Sequence, residues 1–124
     1  MDEQFIENVK KLVQFCEEIK KYPHIGVKVE LKLFSLLKSE PRIKDEIADR
    51  NLLLVANNAN YYFLKHGLEV DIDASKLIHA GMIGFFRAIE KFDTSKATEE
   101  DYNFSGYADW WIRQEMEDYI LSCE

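Results

Sequence analysis

Residues 104–119 read FSGYADWWIRQEMEDY, and they gather side chains suited to stacking against flat rings. Two adjacent tryptophans, a tyrosine and an arginine offer π-faces and a planar guanidinium, the equipment that holds unpaired nucleic-acid bases. The same stretch carries Asp109, Glu115, Glu117 and Asp118, whose charge opposes a phosphate backbone. On a helix these residues sort into two stripes. Phe104, Tyr107, Ala108, Trp111, Ile112, Met116, Tyr119 and Ile120 are expected to face the core. Trp110, Arg113, Gln114 and Glu117 are expected to face solvent or a partner, and an exposed Trp110 beside Arg113 marks a candidate binding stripe.

The elements that must position this stripe are helical throughout. Phe5, Ile6, Val9, Leu12, Val13, Cys16 and Ile19 follow the three-to-four spacing of one buried face, and Pro23 and Gly26 are expected to end that helix. Val27, Leu31, Phe34 and Leu37 predict a short second helix. Pro41 suits the first turn of a third, predicted over 42–64 with Ile47, Leu52, Leu54, Val55, Ala59 and Phe63 inward and Gly67 as its C-terminal cap. Asp73 or Ser75 can cap a fourth helix whose apolar residues are Leu77, Ile78, Met82, Ile83, Phe86 and Ile89. After the polar loop TSKATEEDYN at 94–103, a last helix is expected to start near Ser105. The fold class predicted is all-α, a compact bundle of about five helices in a single domain over residues 1–124.

Composition narrows the possibilities. The 124 residues are 47% hydrophobic and 31% charged, ordinary for one globular domain. No apolar run approaches the roughly 20 residues that cross a bilayer, and the acidic N-terminus MDEQFIENVKK lacks the order of a signal peptide. Cys16 and Cys123 lie far apart and are expected to be reduced thiols in a cytoplasmic protein. His24, His66 and His79 are dispersed, so neither a metal site nor a cofactor is expected. Asn57, Asn58 and Asn60 read as solvated positions, with Asn58 alternatively a buried group needing a partner. The net charge of −7 is uneven. Residues 1–50 balance ten acids against ten bases, whereas residues 94–124 set eight acids against Lys96 and Arg113. A nucleic-acid reader ordinarily places a basic stripe there.

FSGYADWWIRQ resembles the promoter-melting segment of the bacterial sigma-70 family, F-S-T-Y-A-x-W-W-I-R-Q. Upstream, GMIGFFRAIEKFD at 81–93 is similar to the family's G-N-I-G-L-x-x-A-V-E-K-F-D, and NLLLVANNANYY at 51–62 to N-L-R-L-V-x-x-I-A-x-x-Y. VELKLFSLLKSEPRIKDEIADRN at 29–51 resembles the helix before them, so the likeness covers roughly residues 25–122, leaving 1–24 as an extra amphipathic helix. The resemblance implies a sigma region 2 domain, not an enzyme, that binds the clamp helices of RNA polymerase core and helps open the promoter −10 element. It implies that a flipped adenine enters a pocket of Phe92, Asp93, Tyr107 and Trp110, with Trp111 supporting the pair. Gln114 matches a residue at the upstream edge of the element, and Arg113 shares its stripe. It places polymerase contacts on KLIHAGM, at Lys76, Leu77, Ile78, His79, Ala80 and Met82.

The departures fall on outward faces. The loop after KFD is longer and acidic where the family is basic, Glu117 and Asp118 replace a threonine and an arginine, and Gly106 replaces a threonine, which is expected to loosen the helix start. KLIHAG stands where the family has D-L-I-Q-E-G, with Lys76 reversing a charge. Three readings stay open: a divergent sigma domain that binds polymerase and single-stranded −10 DNA, a sigma-like interaction module or anti-sigma decoy that has lost DNA binding, and a remnant keeping only the fold. The chain lacks the family's −35-reading domains, as a stand-alone piece or as part of a longer protein.

Overall fold

The computed structural model describes residues 3–21, 26–94 and 102–124. Pro23 and His24, and residues 95–101 of the acidic loop, lie outside the described residues. Six helices follow in order: α1 Glu3–Ile19, α2 Val27–Leu36, α3 Ile43–Asp49, α4 Leu52–His66, α5 Ala74–Lys91 and α6 Phe104–Cys123. Among the described residues there is no strand. The main core cluster is drawn from every helix, with Leu12, Phe34, Ile47, Val55, Phe63, Leu77, Phe85 and Ile112 among its members, and a smaller one joins Ile19, Leu52 and Ala56.

The predicted third helix is two helices. The chain breaks at Arg50–Asn51, where no proline or glycine announces it. Asn51 donates through Nδ2 to the carbonyl of Ile47 at 2.7 Å and to Glu30 Oε2 at 2.8 Å, and is itself buried. A side-chain amide that bonds back four residues competes with the backbone ladder. The buried carboxylate of Glu30 on α2, which also accepts from the Tyr102 hydroxyl, holds that amide in place.

α1 docks by a stripe that differs from the periodic one. Leu12, Ile19 and the polar Asn8 are buried, while Ile6 and Val13, expected inward, lie exposed on the flank. Asn8 donates to Ile72 O at 2.9 Å and accepts from Ala74 N–H at 2.7 Å, satisfying both halves of its amide on the backbone that opens α5. Asp73 is the N-cap of α5, accepting from the Ser75 and Lys76 amides, and Lys11 of α1 lies 3.5 Å from its carboxylate.

In α5 the deepest positions are Ala74, Leu77, Gly81, Gly84, Phe85, Ala88 and Ile89. The expected Ile78, Met82, Ile83 and Phe86 are half-buried, and Phe85, fully buried, was not among the expected core residues. Two small residues explain the shift. A Cβ on Gly84 would stand 2.4 Å from Trp111 O, and one on Gly81 would stand 2.4 Å from Met116 Cε. The backbones of α5 and α6 therefore meet along the glycine face. Gly67 serves as the C-cap of α4 with φ −65°, so its lack of a side chain answers Phe63, whose carbonyl would lie 2.5 Å from a Cβ, rather than a left-handed turn.

Gly84→Ala is expected to cost about 1–3 kcal/mol in urea denaturation, because backbone rather than a pliable side chain blocks the new methyl. Asp73→Ala should cost about 1 kcal/mol at pH 7. Although burial pushes the Asp73 carboxyl up, the Ser75 and Lys76 amides and the Lys11 charge hold it below its usual 3.8. Its ionised form therefore supports the fold above that value. The difference between wild type and Asp73→Ala should shrink as pH falls below it.

Candidate nucleic-acid interface

α6 starts two residues earlier than a Ser105 cap would place it. Asn103 is the N-cap, its Oδ1 accepting from Gly106 N–H at 3.3 Å. A Cβ at Gly106 would stand 2.8 Å from the Asn103 side chain, so the glycine also leaves room for the capping group. Phe104, Ala108, Ile112, Met116 and Ile120 then form the buried stripe, while Tyr107, Trp111 and Tyr119, expected as core, are half-buried at its edge.

This register carries a row of aromatic rings across the junction of α5 and α6. Phe92, the residue that ends α5, packs on Tyr107 with centroids 5.5 Å apart. Tyr107 meets Trp111 at 6.3 Å, and Trp111 meets Trp110 edge-on at 5.3 Å and 88°. Phe92 is also backed by Phe34, Phe104 and Tyr102. Trp110 is 57% exposed at the open end of the row. Asp93, Arg113 and Gln114 are exposed. The indole Nε1 of Trp111 is buried without a hydrogen-bond partner among the described residues.

Three of the four acids of α6, Asp109, Glu115 and Glu117, are engaged within the protein. Asp109 Oδ1 accepts from Asn58 Nδ2 at 2.7 Å, and its Oδ2 lies 2.8 Å from Arg113 Nε. Asn58 is thus a buried polar group with a partner, and it also donates to Leu54 O. Glu115 pairs with Arg87 of α5. Glu117, placed on the outward stripe, accepts from the Tyr62 hydroxyl at 2.6 Å. The bonds from Asn58 and Tyr62 tie α6 to α4 and the Arg87 pair ties it to α5, whereas Asp109–Arg113 lies within α6. Each arginine pair also gives a cation near the tryptophans a carboxylate partner already.

Three neighbours of the row were not singled out in the sequence. Lys91 holds its Nζ 6.0 Å from the Trp111 ring centroid, within cation–π range. Tyr102 sets its ring against Phe92 and its hydroxyl on Glu30. Arg87 is the third, held by Glu115. Lys91 directly precedes Phe92, which was a usable signal. Tyr102 looked like loop, and nothing local pairs it with Glu30.

The segment 76–82 divides differently from expectation. Lys76 and His79 are exposed. Leu77 is fully buried, so it supports the segment from inside and presents no surface to a partner. Ile78 borders a groove shared with Lys11, Gln14, Phe15 and Glu18 of α1. Met82 packs against Ile19, Leu52 and Ala56. Ala80 is half-buried. α1 therefore lies over part of the face the resemblance assigns to polymerase. Among the described residues no three His, Cys, Asp or Glu side chains converge to hold a metal ion, and no helix is long and apolar enough to cross a membrane.

Comparison with known proteins agrees with the all-helical fold. The Sigma-70 region 2 family matches residues 47–122. The chain is 35% identical over 109 residues to the RNA polymerase sigma factor RpoS of Coxiella burnetii, covering 87% of this chain and 28% of that protein. It is 36% identical over 101 residues to the sigma factor SigA of Clostridium acetobutylicum, covering 81% of this chain and 24% of that one. It is 44% identical over 73 residues to SigA of Nostoc sp., covering 59% and 16%. The chain belongs to the sigma-70 family through its region 2. It spans about a quarter of the length of the first two of these relatives. The family acts in transcription initiation and not as an enzyme.

Burial and the Glu117 hydrogen bond push the Tyr62 phenol well above its ordinary value of 10. Tyr119 is pushed up to about 12 by burial and its bond with Cys123. Tyr62→Phe should therefore leave the tyrosinate absorbance that develops below pH 11 unchanged. A loss of one tyrosine's amplitude there would show that the Tyr62–Glu117 bond is not made in solution.

Proposed function

We propose that this chain is a transcription-initiation module that binds RNA polymerase core and receives an unpaired base of the promoter −10 element on the Phe92–Tyr107–Trp110 surface. The reading takes residues 1–124 as one helical domain working in the cytoplasm. The observation that carries it is the ring row. Phe92, Tyr107, Trp111 and Trp110 lie in successive contact at the site where the family motifs fall, with Trp110 57% exposed. An extruded base loses its stacked neighbours, and aromatic faces replace that stacking. Asp93, beside Phe92, offers an acceptor for an exocyclic amine. Arg113 and Gln114 lie on the open stripe of α6 where flanking nucleotides would pass.

Attraction to phosphate is weak in this reading, because Arg87 and Arg113 are paired with Glu115 and Asp109. Affinity then rests on stacking and on polymerase holding the DNA nearby. Lys76 and His79 are the open positions of segment 76–82 for the clamp helices. The paired arginines also favour a second reading, in which the domain docks on polymerase or captures an anti-sigma protein without reading DNA. Trp110 then serves as a protein anchor.

Fluorescence anisotropy with a single-stranded −10 oligonucleotide, in the presence of core polymerase at low salt, separates the two. Trp110→Ala and Tyr107→Ala should each weaken binding about tenfold or more, at about 1–3 kcal/mol per stacked base. Asp118→Asn should strengthen it and steepen its salt dependence. Polymerase binding without any oligonucleotide signal would select the second reading. Lys76→Asp is expected to tighten binding to core polymerase measured by interferometry; no change would remove Lys76 from that interface.

A further inference from the structure

The distal half of α6 and the end of α4 form a surface that the ring row does not use. Between them lies a groove of about 220 Å³ lined by Tyr62, His66, Glu117, Ile120, Leu121 and Glu124. Its floor is apolar: Ile120 and Tyr62 are buried there. Leu121 stands 64% exposed at its edge, while the exposed Tyr61, Leu64 and Leu68 lie outside the groove lining, at and just beyond the end of α4. Scattered apolar residues on a surface need no explanation, but several together along one groove do.

The charge around the groove is one-sided. Glu117 and Glu124 stand in its lining, which contains no lysine or arginine, and Asp118 is exposed next to Glu117. On the α4 wall, His66 stacks on Tyr62, and Lys65 holds its ammonium 5.5 Å over the Tyr61 ring. Arg113, the single cation of residues 102–124, is one turn earlier and bound to Asp109. An apolar trough with an acidic margin repels nucleic acid and matches a helix with aliphatic residues on one side and lysine or arginine beside them.

We infer that the α4–α6 groove docks a basic amphipathic helix of a partner protein, with an aliphatic anchor over Ile120 and Leu121 and cations against Glu117, Asp118 and Glu124. This surface is separate from the ring row. It fits a protein regulator or a polymerase segment and does not require that the chain read DNA.

The test uses the whole chain, ¹⁵N-labelled, and two synthetic 14-residue helical peptides with the same leucine pattern. One carries lysine at the flanking positions and the other glutamate. The lysine peptide should shift the amides of residues 62–68 and 117–124 and bind more weakly as salt rises. Leu121→Ser, at an exposed position that leaves the fold intact, should weaken it about tenfold. Val29→Ser, an exposed apolar residue of α2, should leave it unchanged. Binding to the −10 oligonucleotide should be unaffected by Leu121→Ser, which separates failure of this proposal from failure of the DNA reading. Equal binding of the glutamate peptide, equal loss in both variants, or shifts confined to other residues would overturn the proposal. Concentration-dependent self-association abolished by Leu121→Ser would overturn it as well, by giving the groove to a second copy of the chain.

Discussion

The close approach of α5 and α6 at Gly81 and Gly84 is the contact on which the rest of the structure depends. Backbone meets backbone at Gly84, where Trp111 O occupies the space any Cβ would need. Glycine inside a helix costs about 1 kcal/mol relative to alanine. Here that cost is offset by the interface it permits, in which Phe85, Phe104, Ile112 and Met116 are all fully buried. The approach also sets the angular register of α6. With Ile112 inward, Trp111 falls at the margin and Trp110 outside. Tyr107 comes to rest on Phe92 at the end of α5.

Polar bonds fix the same register from the other side. Asn58 to Asp109, Tyr62 to Glu117 and Arg87 to Glu115 join α6 to α4 and α5 at three levels. These acids therefore have two effects. They help position the aromatic row, and they supply carboxylates where a nucleic-acid surface would leave its cations for phosphate. The short Asn58 bond is worth more than an exposed ion pair, because an amide buried without a partner costs about 1–3 kcal/mol. A sequence that looks hostile to DNA on charge count thus encodes internal ties, and only Asp118 of α6 and Glu124 just after it remain without a bond or ion pair described above.

α1 belongs to the same body. Asn8 ties it to the start of α5, Lys11 faces the Asp73 cap, and Tyr119 of α6 accepts the Asp73 amide from below. The beginning of α5 is consequently held by two helices at once, α1 and α6. With α1 across the groove from Ile78 and packed near Met82, Lys76 and His79 are the exposed positions of segment 76–82, and Ile78, Ala80 and Met82 are half-buried.

Much of this was legible in the residues themselves. Periodicity defined the helices, Asp73 announced its cap, and the spacing of the KFD and WWIRQ segments disclosed the family, because local geometry and motif order are linear properties of a chain. What the sequence could not express was competition between distant groups. The break at Asn51 depends on Glu30, 21 residues away. The inward turn of Phe85 depends on glycines that matter only once α6 lies across them. Asp109 and Arg113 stand four residues apart, a pairing helix spacing predicts, but the partners that Asp109, Glu115 and Glu117 find on α4 and α5 follow no spacing rule. The residues in their linear order established an all-helical domain with an aromatic segment and an acidic end, because periodicity and charge placement are read along the chain. Tertiary packing decided which of those rings meet and which of those charges are left facing solvent, since both depend on helices that touch only after the chain has folded.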